Sequence, residues 1–190
     1  MNKFNFTKTN IDDLLIVKPQ VFEDTRGYFM ETYNCEEFRK AGVKVNFVQD
    51  NQSKSKKGVL RGLHFQTKNP QGKLVRVIKG EVFDVAVDLR PKSKTFGNWY
   101  GLILSSENKL QFYIPEHFAH GFLVLSDEAE FTYKCTNFYD KESESGIIWN
   151  DPNLKIDWPV DRVDGKIILS EKDKIQQTFL KFKSKQSNNY

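Results

Sequence analysis

Alternation of apolar and polar residues with a period of two dominates the chain. It runs through KLVRVIKG (73–80), EVFDVAVDL (81–89), NWYGLILS (98–105), KLQFYI (109–114) and AEFTYKCT (129–136), and each run predicts a strand. Turn-forming residues separate the runs at Lys79-Gly80, Arg90-Pro91, Phe96-Gly97, Ser106-Glu107-Asn108 and Ser126-Asp127. One early stretch, NCEEFRKAG (34–42), reads as a helix: Asn34 caps it, Glu37 stands where a capping box wants a carboxylate, and Gly42 ends it. Closely spaced strands with few helices between them predict an all-β sandwich or barrel. No repeat or linker interrupts the pattern, so a single domain over residues 1–190 is expected. The final stretch, LKFKSKQSNNY (180–190), loses periodicity and turns polar, and is expected to fray.

Composition narrows the classes. With 38% hydrophobic and 28% charged residues, a chain of 190 residues supports a packed core rather than wholesale disorder. Its 29 basic and 25 acidic residues are scattered, which argues against a nucleic-acid binder, while the net charge of +4 is compatible with a small anionic substrate. NKFNFTKTN lacks the apolar core of a signal peptide, and no run approaches the ~20 apolar residues of a membrane span. Cys35 and Cys135 form neither a CxxC nor a metal-ligand spacing, so free thiols and a cytoplasmic location are expected.

The polar residues set within the strands carry the candidate chemistry. In EVFDVAVDL one parity gives Phe83, Val85 and Val87, and the other gives Val82, Asp84, Ala86 and Asp88. Asp88 is expected to be solvated; Asp84 could also face a barrel interior. In GVLRGLHFQ (58–66) strict alternation puts Arg61 and His64 on opposite faces, but Gly62 signals a bulge that re-aims the next side chain. His64 taken alone is better explained by a hydrogen-bonded core position than by catalysis, and chemistry there needs partners that converge on it.

Metal binding is disfavoured: the HxH pair of metal-binding cupins is absent because Gln66 stands two residues after His64. His117 and His120, in PEHFAHGF, fall beside a proline and a glycine in an expected loop, without the helical geometry that would aim both at one ion. Proton transfer is the alternative. A neutral imidazole with pKa near ~6.5 suits abstraction of a proton from carbon next to a carbonyl. Such a reaction also needs an acid, a cation at the developing oxyanion and a substrate anchor. Tyr133, Lys73 and Arg26 are candidates, though each has an ordinary reading as strand packing, a solvated strand edge and a turn residue. No GxGxxG stretch calls for a dinucleotide.

Taken in order, VFEDTRGYFMETYN, FVQDNQSKSKKGVLRGLHFQ, PQGKLVRVIKGEVFDVAVDLR, ENKLQFYIPEHFAHGF, EFTYKCTNFYD, WNDPNLKIDWP and LSEKD resemble the dTDP-4-dehydrorhamnose 3,5-epimerases, from about Phe22 to Asp173. The resemblance implies a double-stranded β-helix barrel of jelly-roll, cupin-like form with a few short helices. It also implies a homodimer without metal or coenzyme. The implied substrate is a dTDP-linked 4-keto-6-deoxy sugar, inverted at C3 and C5 on the route to dTDP-L-rhamnose. By matching position, His64 is the base, Asp173 the carboxylate that orients it, Tyr133 the proton donor and Lys73 the cation near the C4 oxygen. Arg61 and His120 match pocket positions around sugar and phosphates. Arg26, Glu31, Gln49, Asp50 and Asn51 match nucleotide-side positions, some of them supplied by a neighbouring subunit. Tyr139 matches an aromatic that stacks on thymine, and Glu144 and Lys172 match further substrate contacts. A single-carbon epimerase or keto-isomerase of a related sugar remains open from the residues, as does a non-catalytic sugar-binding or metal-dependent cupin.

Overall fold

The computed structural model describes residues 3–187. Thirteen strands carry most of the order among them: β1 (Phe4–Lys8), β2 (Leu15–Pro19), β3 (Phe22–Asp24), β4 (Gly27–Phe29), β5 (Gln49–Lys56), β6 (Leu60–Gln66), β7 (Lys73–Lys79), β8 (Glu81–Asp88), β9 (Trp99–Ser105), β10 (Gln111–Ile114), β11 (Phe118–Val124), β12 (Glu128–Cys135) and β13 (Glu144–Gly146). Three short α-helices, α1 (Cys35–Lys40), α2 (Glu171–Lys174) and α3 (Phe179–Ser187), and one 3-10 turn (Val160–Val163) complete it. One antiparallel sheet has the order β1-β2-β10-β7-β12-β5 and a second β13-β6-β11-β8-β9, while β3 and β4 form a separate hairpin. No helix of the described residues is long and apolar enough to cross a membrane.

The predicted alternation explains why the two sheets meet. Val75, Val77, Phe112, Ile114 and Phe131 of the six-stranded sheet point inward against Val82, Ala86, Leu104, Phe122 and Val124 of the five-stranded one. A jelly-roll barrel results, with one core between its layers. Helix α1 forms where Asn34 Oδ1 accepts the backbone N–H groups of Glu36 and Glu37, at 3.1 and 3.3 Å. Glu37 places its carboxylate on Lys40 (2.8 Å). The helix buries Phe38, which meets the rings of Phe4, Phe6 and Tyr33 edge-on.

The five-stranded sheet and its surroundings overturn three expectations. Leu60, Leu63, Val85, Val87, Ala119 and Leu123 on that face lie under Leu154, Trp158, Val163, Phe179 and Phe182 of the C-terminal segment. A sheet covered on both sides reads as continuous apolar sequence rather than as alternation. PEHFAHGF is therefore not a loop throughout: β11 begins at Phe118, and all seven of its residues are buried. Asp88 is not solvated. It is fully buried and accepts hydrogen bonds from Arg90, Ser93 Oγ and Thr95 Oγ1. Burial pushes its carboxyl up, and those bonds outweigh burial and hold it below the ordinary range. The polar tail does not fray at residue 180 but continues as α3. Phe182 is buried against Phe65, ring centroids 5.2 Å apart, which stabilises the helix by about 2 kcal/mol. Residues 188–190 of that stretch lie outside the described residues.

Candidate active site

The site begins at the bulge in β6. His120 of β11 pairs with His64, and Phe122 pairs with Arg61, so Gly62 and Leu63 of β6 oppose Gly121 alone on β11. Leu60 and Leu63 both pack on the outer face as a result, leaving Arg61 and His64 on the inner side. Only glycine fits at position 62. Its φ is +128°, and an added Cβ would lie 2.5 Å from Gly121 Cα.

His64 then meets the C-terminal segment. Its Nε2 lies 2.5 Å from Asp173 Oδ1. An ionised carboxylate can only accept, so Nε2 carries the proton and Nδ1 keeps its lone pair. Asp173 sits in the first turn of α2 and is 3% exposed. The cap residue Ser170 accepts from Asp173 N–H (3.1 Å) and donates its hydroxyl to Asp173 Oδ2 (2.8 Å). Burial alone would raise the Asp173 carboxyl. The bond from His64, the Ser170 hydroxyl and the nearby Lys172 charge together hold it below its ordinary value.

A cavity of ≈ 100 Å³ opens beside His64, walled also by Gln66, Lys73, Tyr133, Tyr139 and Glu144. His64 belongs to one sheet and Lys73 and Tyr133 to the other, so they meet across the barrel interior. Lys73 Nζ is 6.0 Å from the centre of the Tyr133 ring. Burial lowers the Lys73 ammonium from its ordinary range, against the pull of Cys135, Asp84 and Glu144. Burial raises the Tyr133 phenol, which keeps its proton available for donation.

Behind the cavity His120 Nε2 lies 3.0 Å from each oxygen of the fully buried Asp84. Burial lowers the His120 imidazole more than Asp84 raises it. Asp84 thus faces the barrel interior. At the front, Glu144 accepts the Tyr139 hydroxyl (2.7 Å) and pairs with Lys172. Burial raises Glu144, but Lys172 and Tyr139 bring it below the usual carboxylate range.

The remaining expected residues divide. Arg61 is exposed, held by Ser55 Oγ at 3.1 and 3.0 Å, and its charge reaches Tyr133. Asn51 pairs with Tyr133 across β5 and β12, and its amide lies 3.6 Å from Cys135 Sγ. Gln49 binds Asn51 (3.0 Å) and the Tyr139 N–H (2.9 Å). Asp50 points the other way and pairs with Lys134. It lines a ≈ 420 Å³ cavity on the outer side of the six-stranded sheet, with Arg76 and Gln111. Arg26 lies in the turn of the β3–β4 hairpin, paired with Asp24, and Glu31 pairs with Lys3. Neither lines the His64 cavity of its own chain.

Sequence reasoning missed Ser170, although S-x-x-D before a short helix is a capping signal that could have found it. It also left the role of Asp84 open. Among the described residues no group of three His, Cys, Asp or Glu side chains could hold a metal ion.

A jelly-roll barrel with a His–Asp dyad, a protonated tyrosine and a desolvated lysine around one cavity defines an acid–base isomerase, built to move protons at carbon. The profile of the dTDP-4-dehydrorhamnose 3,5-epimerases matches residues 8–181. The chain belongs to this family. The enzyme of that name from Methanothermobacter thermautotrophicus is 59% identical over 174 residues, covering 92% of this chain and 94% of its own. The crystal structure of the Elizabethkingia anophelis enzyme superposes with a TM-score of 0.89 at 54% identity, covering 94% of this chain and 98% of that one. The Legionella pneumophila enzyme, in complex with dTDP-4-keto-L-rhamnose, gives a TM-score of 0.89 at 52% identity and covers 92% of both chains.

Proposed function

We propose that the protein converts dTDP-4-dehydro-6-deoxy-D-glucose into dTDP-4-dehydro-L-rhamnose by inverting C3 and C5. The observation that carries this reading is the His64–Asp173 dyad sharing one cavity with Tyr133 and Lys73 of the opposite sheet. The 4-keto group acidifies both neighbouring carbons, so one base and one acid serve both inversions. His64 Nδ1 takes the proton from one side of the ring, and Asp173 stabilises the imidazolium. Charge on the C4 oxygen develops beside Lys73; a preorganised donor at such an oxygen is worth roughly 10²–10³ in rate. Tyr133 returns a proton to the opposite side. Each inversion leaves His64 with one proton more and Tyr133 with one fewer, and solvent exchange restores both.

Tyr139 is the platform for the thymine ring, and Arg61, His120, Gln49, Asn51, Glu144 and Lys172 contact the rest of the substrate. The working unit is a homodimer. Arg26 and Glu31 lie in and beside the β3–β4 hairpin, and Asp50 lies on the outer side of the six-stranded sheet, positions suited to a neighbour's site. The hairpin bearing Arg26 exposes Phe22, Tyr28 and Phe29, an apolar patch suited to a second copy. Two free thiols fit a cytoplasmic location.

The test is solvent exchange. Protein in deuterated water should exchange two carbon-bound hydrogens of the keto sugar, and a coupled NADPH-dependent reductase should then yield dTDP-L-rhamnose. Exchange at C3 alone would refute double inversion. His64→Ala should abolish exchange at both carbons while dTDP still binds. A monomer in light scattering would overturn the dimer.

A further inference from the structure

The loop carrying Tyr139 is held by side chains rather than by a strand ladder. Asn137 C=O accepts from Gln71 Nε2 (2.8 Å), and Tyr139 N–H donates to Gln49 Oε1 (2.9 Å). Gln66 does most. Its Nε2 donates to Asn69 C=O (2.7 Å) and Phe138 C=O (3.3 Å), and its Oε1 accepts Asp140 N–H (2.9 Å). The amide is 7% exposed, and both its donor and acceptor ends are occupied. Two of those three bonds grip the residues immediately before and after Tyr139. The residue is 55% exposed, and its side chain is held at the tip by the hydrogen bond from its hydroxyl to Glu144 Oε2 (2.7 Å). Its placement over the cavity therefore depends on that bond at one end and on the backbone beneath it at the other.

We propose that Gln66 is a positioning residue for Tyr139, setting the height and angle of that ring over the cavity. Two residues beyond His64 on the same strand, it ties the nucleotide side of the site to the strand that bears the base. The inference rests on the reading of Tyr139 as the thymine platform. A leucine or methionine at this position fills similar space but leaves Phe138 C=O and Asp140 N–H without their partner, so the loop relaxes and the platform is lost.

The experiment measures the dTDP dissociation constant by calorimetry, and kcat by solvent exchange, in Gln66→Leu, Tyr139→Ala and the double variant. Stacking of one base on one aromatic ring corresponds to about a tenfold change in affinity, and Gln66→Leu should weaken dTDP by that order. Its kcat at saturating substrate should fall by a smaller factor. In the Tyr139→Ala background the Gln66 substitution should cause no further weakening. If Gln66→Leu does not fold, Gln66→Met, unbranched like glutamine, is measured in its place. Failure of both to fold would overturn the proposal by making Gln66 a determinant of folding. Unchanged dTDP affinity in a folded Gln66 variant, with Tyr139→Ala weakened, would overturn the proposal alone. A kcat loss larger than the affinity loss would overturn it by moving the effect of Gln66 to His64. Unchanged affinity in Tyr139→Ala would overturn the platform reading and this proposal together.

Discussion

Asp173→Asn tests the dyad at its least exposed member. Asp173 is 3% exposed and makes a 2.5 Å contact with His64 Nε2, so the substitution changes charge with almost no change of shape. Hydrogen bonds to charged groups contribute about 1.5–3 kcal/mol, so losing the carboxylate weakens imidazolium stabilisation by a factor of about 10–150. A second loss depends on how the amide turns. If Asn Oδ1 faces His64 and its NH₂ faces Ser170, the Nε2–H tautomer survives and only the charge effect remains. If the NH₂ faces His64, the proton is forced onto Nδ1 and the lone pair facing the cavity disappears. In a Ser-His-Asp triad that outcome lowers the rate about 10⁴-fold. The expected fall in kcat for solvent exchange at saturating substrate is therefore about 10–10⁴-fold. KM should stay near wild type, because the lost interaction forms only as the imidazole becomes charged. Exchange within about threefold of wild type would refute the dyad, given the magnitude of a charged hydrogen bond. A rise in KM with kcat intact would make Asp173 a binding residue.

Other expected outcomes probe the acid, the bulge and the surface. Tyr133→Phe should cut inversion by about 10²–10⁴-fold while solvent exchange persists, because His64 can return a deuteron to the face it deprotonated; NMR of the same sample separates the two, and equal loss of both would remove Tyr133 as the acid. Gly62→Ala should destabilise the fold by about 2 kcal/mol or more in urea, since its Cβ would meet backbone at 2.5 Å at a φ of +128°. An unchanged midpoint would show that the bulge tolerates a side chain. Glu128, between Lys54 and Lys79, has its pKa lowered from 4.5 to about 2, first through those lysine hydrogen bonds. A carboxyl depressed in the folded state contributes stability above pH 4.5 that is lost as pH falls to about 2. The Tm deficit of Glu128→Gln should accordingly be largest at neutral pH, shrink toward pH 2 and diminish in high salt; a constant deficit would contradict the linkage.

Local pattern is enough for elements that bury one face. β12 alternates in burial, and it and β7 appear where alternation predicts them. Asn34 announces α1 because a cap acts within a single turn. β11 gives no such signal. Its apolar run contains a histidine and a glycine, and it becomes a strand because the inner core and the C-terminal segment cover its two faces. The tail escapes the local pattern for the same reason, since Phe182 packs on Phe65 far back along the chain. Asp88 escapes it because the turn that follows folds Arg90, Ser93 and Thr95 back onto its carboxylate, and a strand's period does not report such contacts.

The catalytic set divides along the same physical line. Residue order alone specifies a β-rich barrel, a glycine that re-aims His64, and the missing second histidine at Gln66. Together, its motifs are also specific enough to indicate the family. The folded chain is needed to bring Asp173, 109 residues from His64, into the dyad, to set Ser170 beside it, and to place Asp84 against His120. Likewise, only the folded chain reveals that Gln66 has its own task, gripping the loop beneath Tyr139. A strand's period tells which face a side chain occupies. Which groups share that face is set by how sheets close and by where the C-terminal segment returns, and those contacts have no counterpart in local sequence.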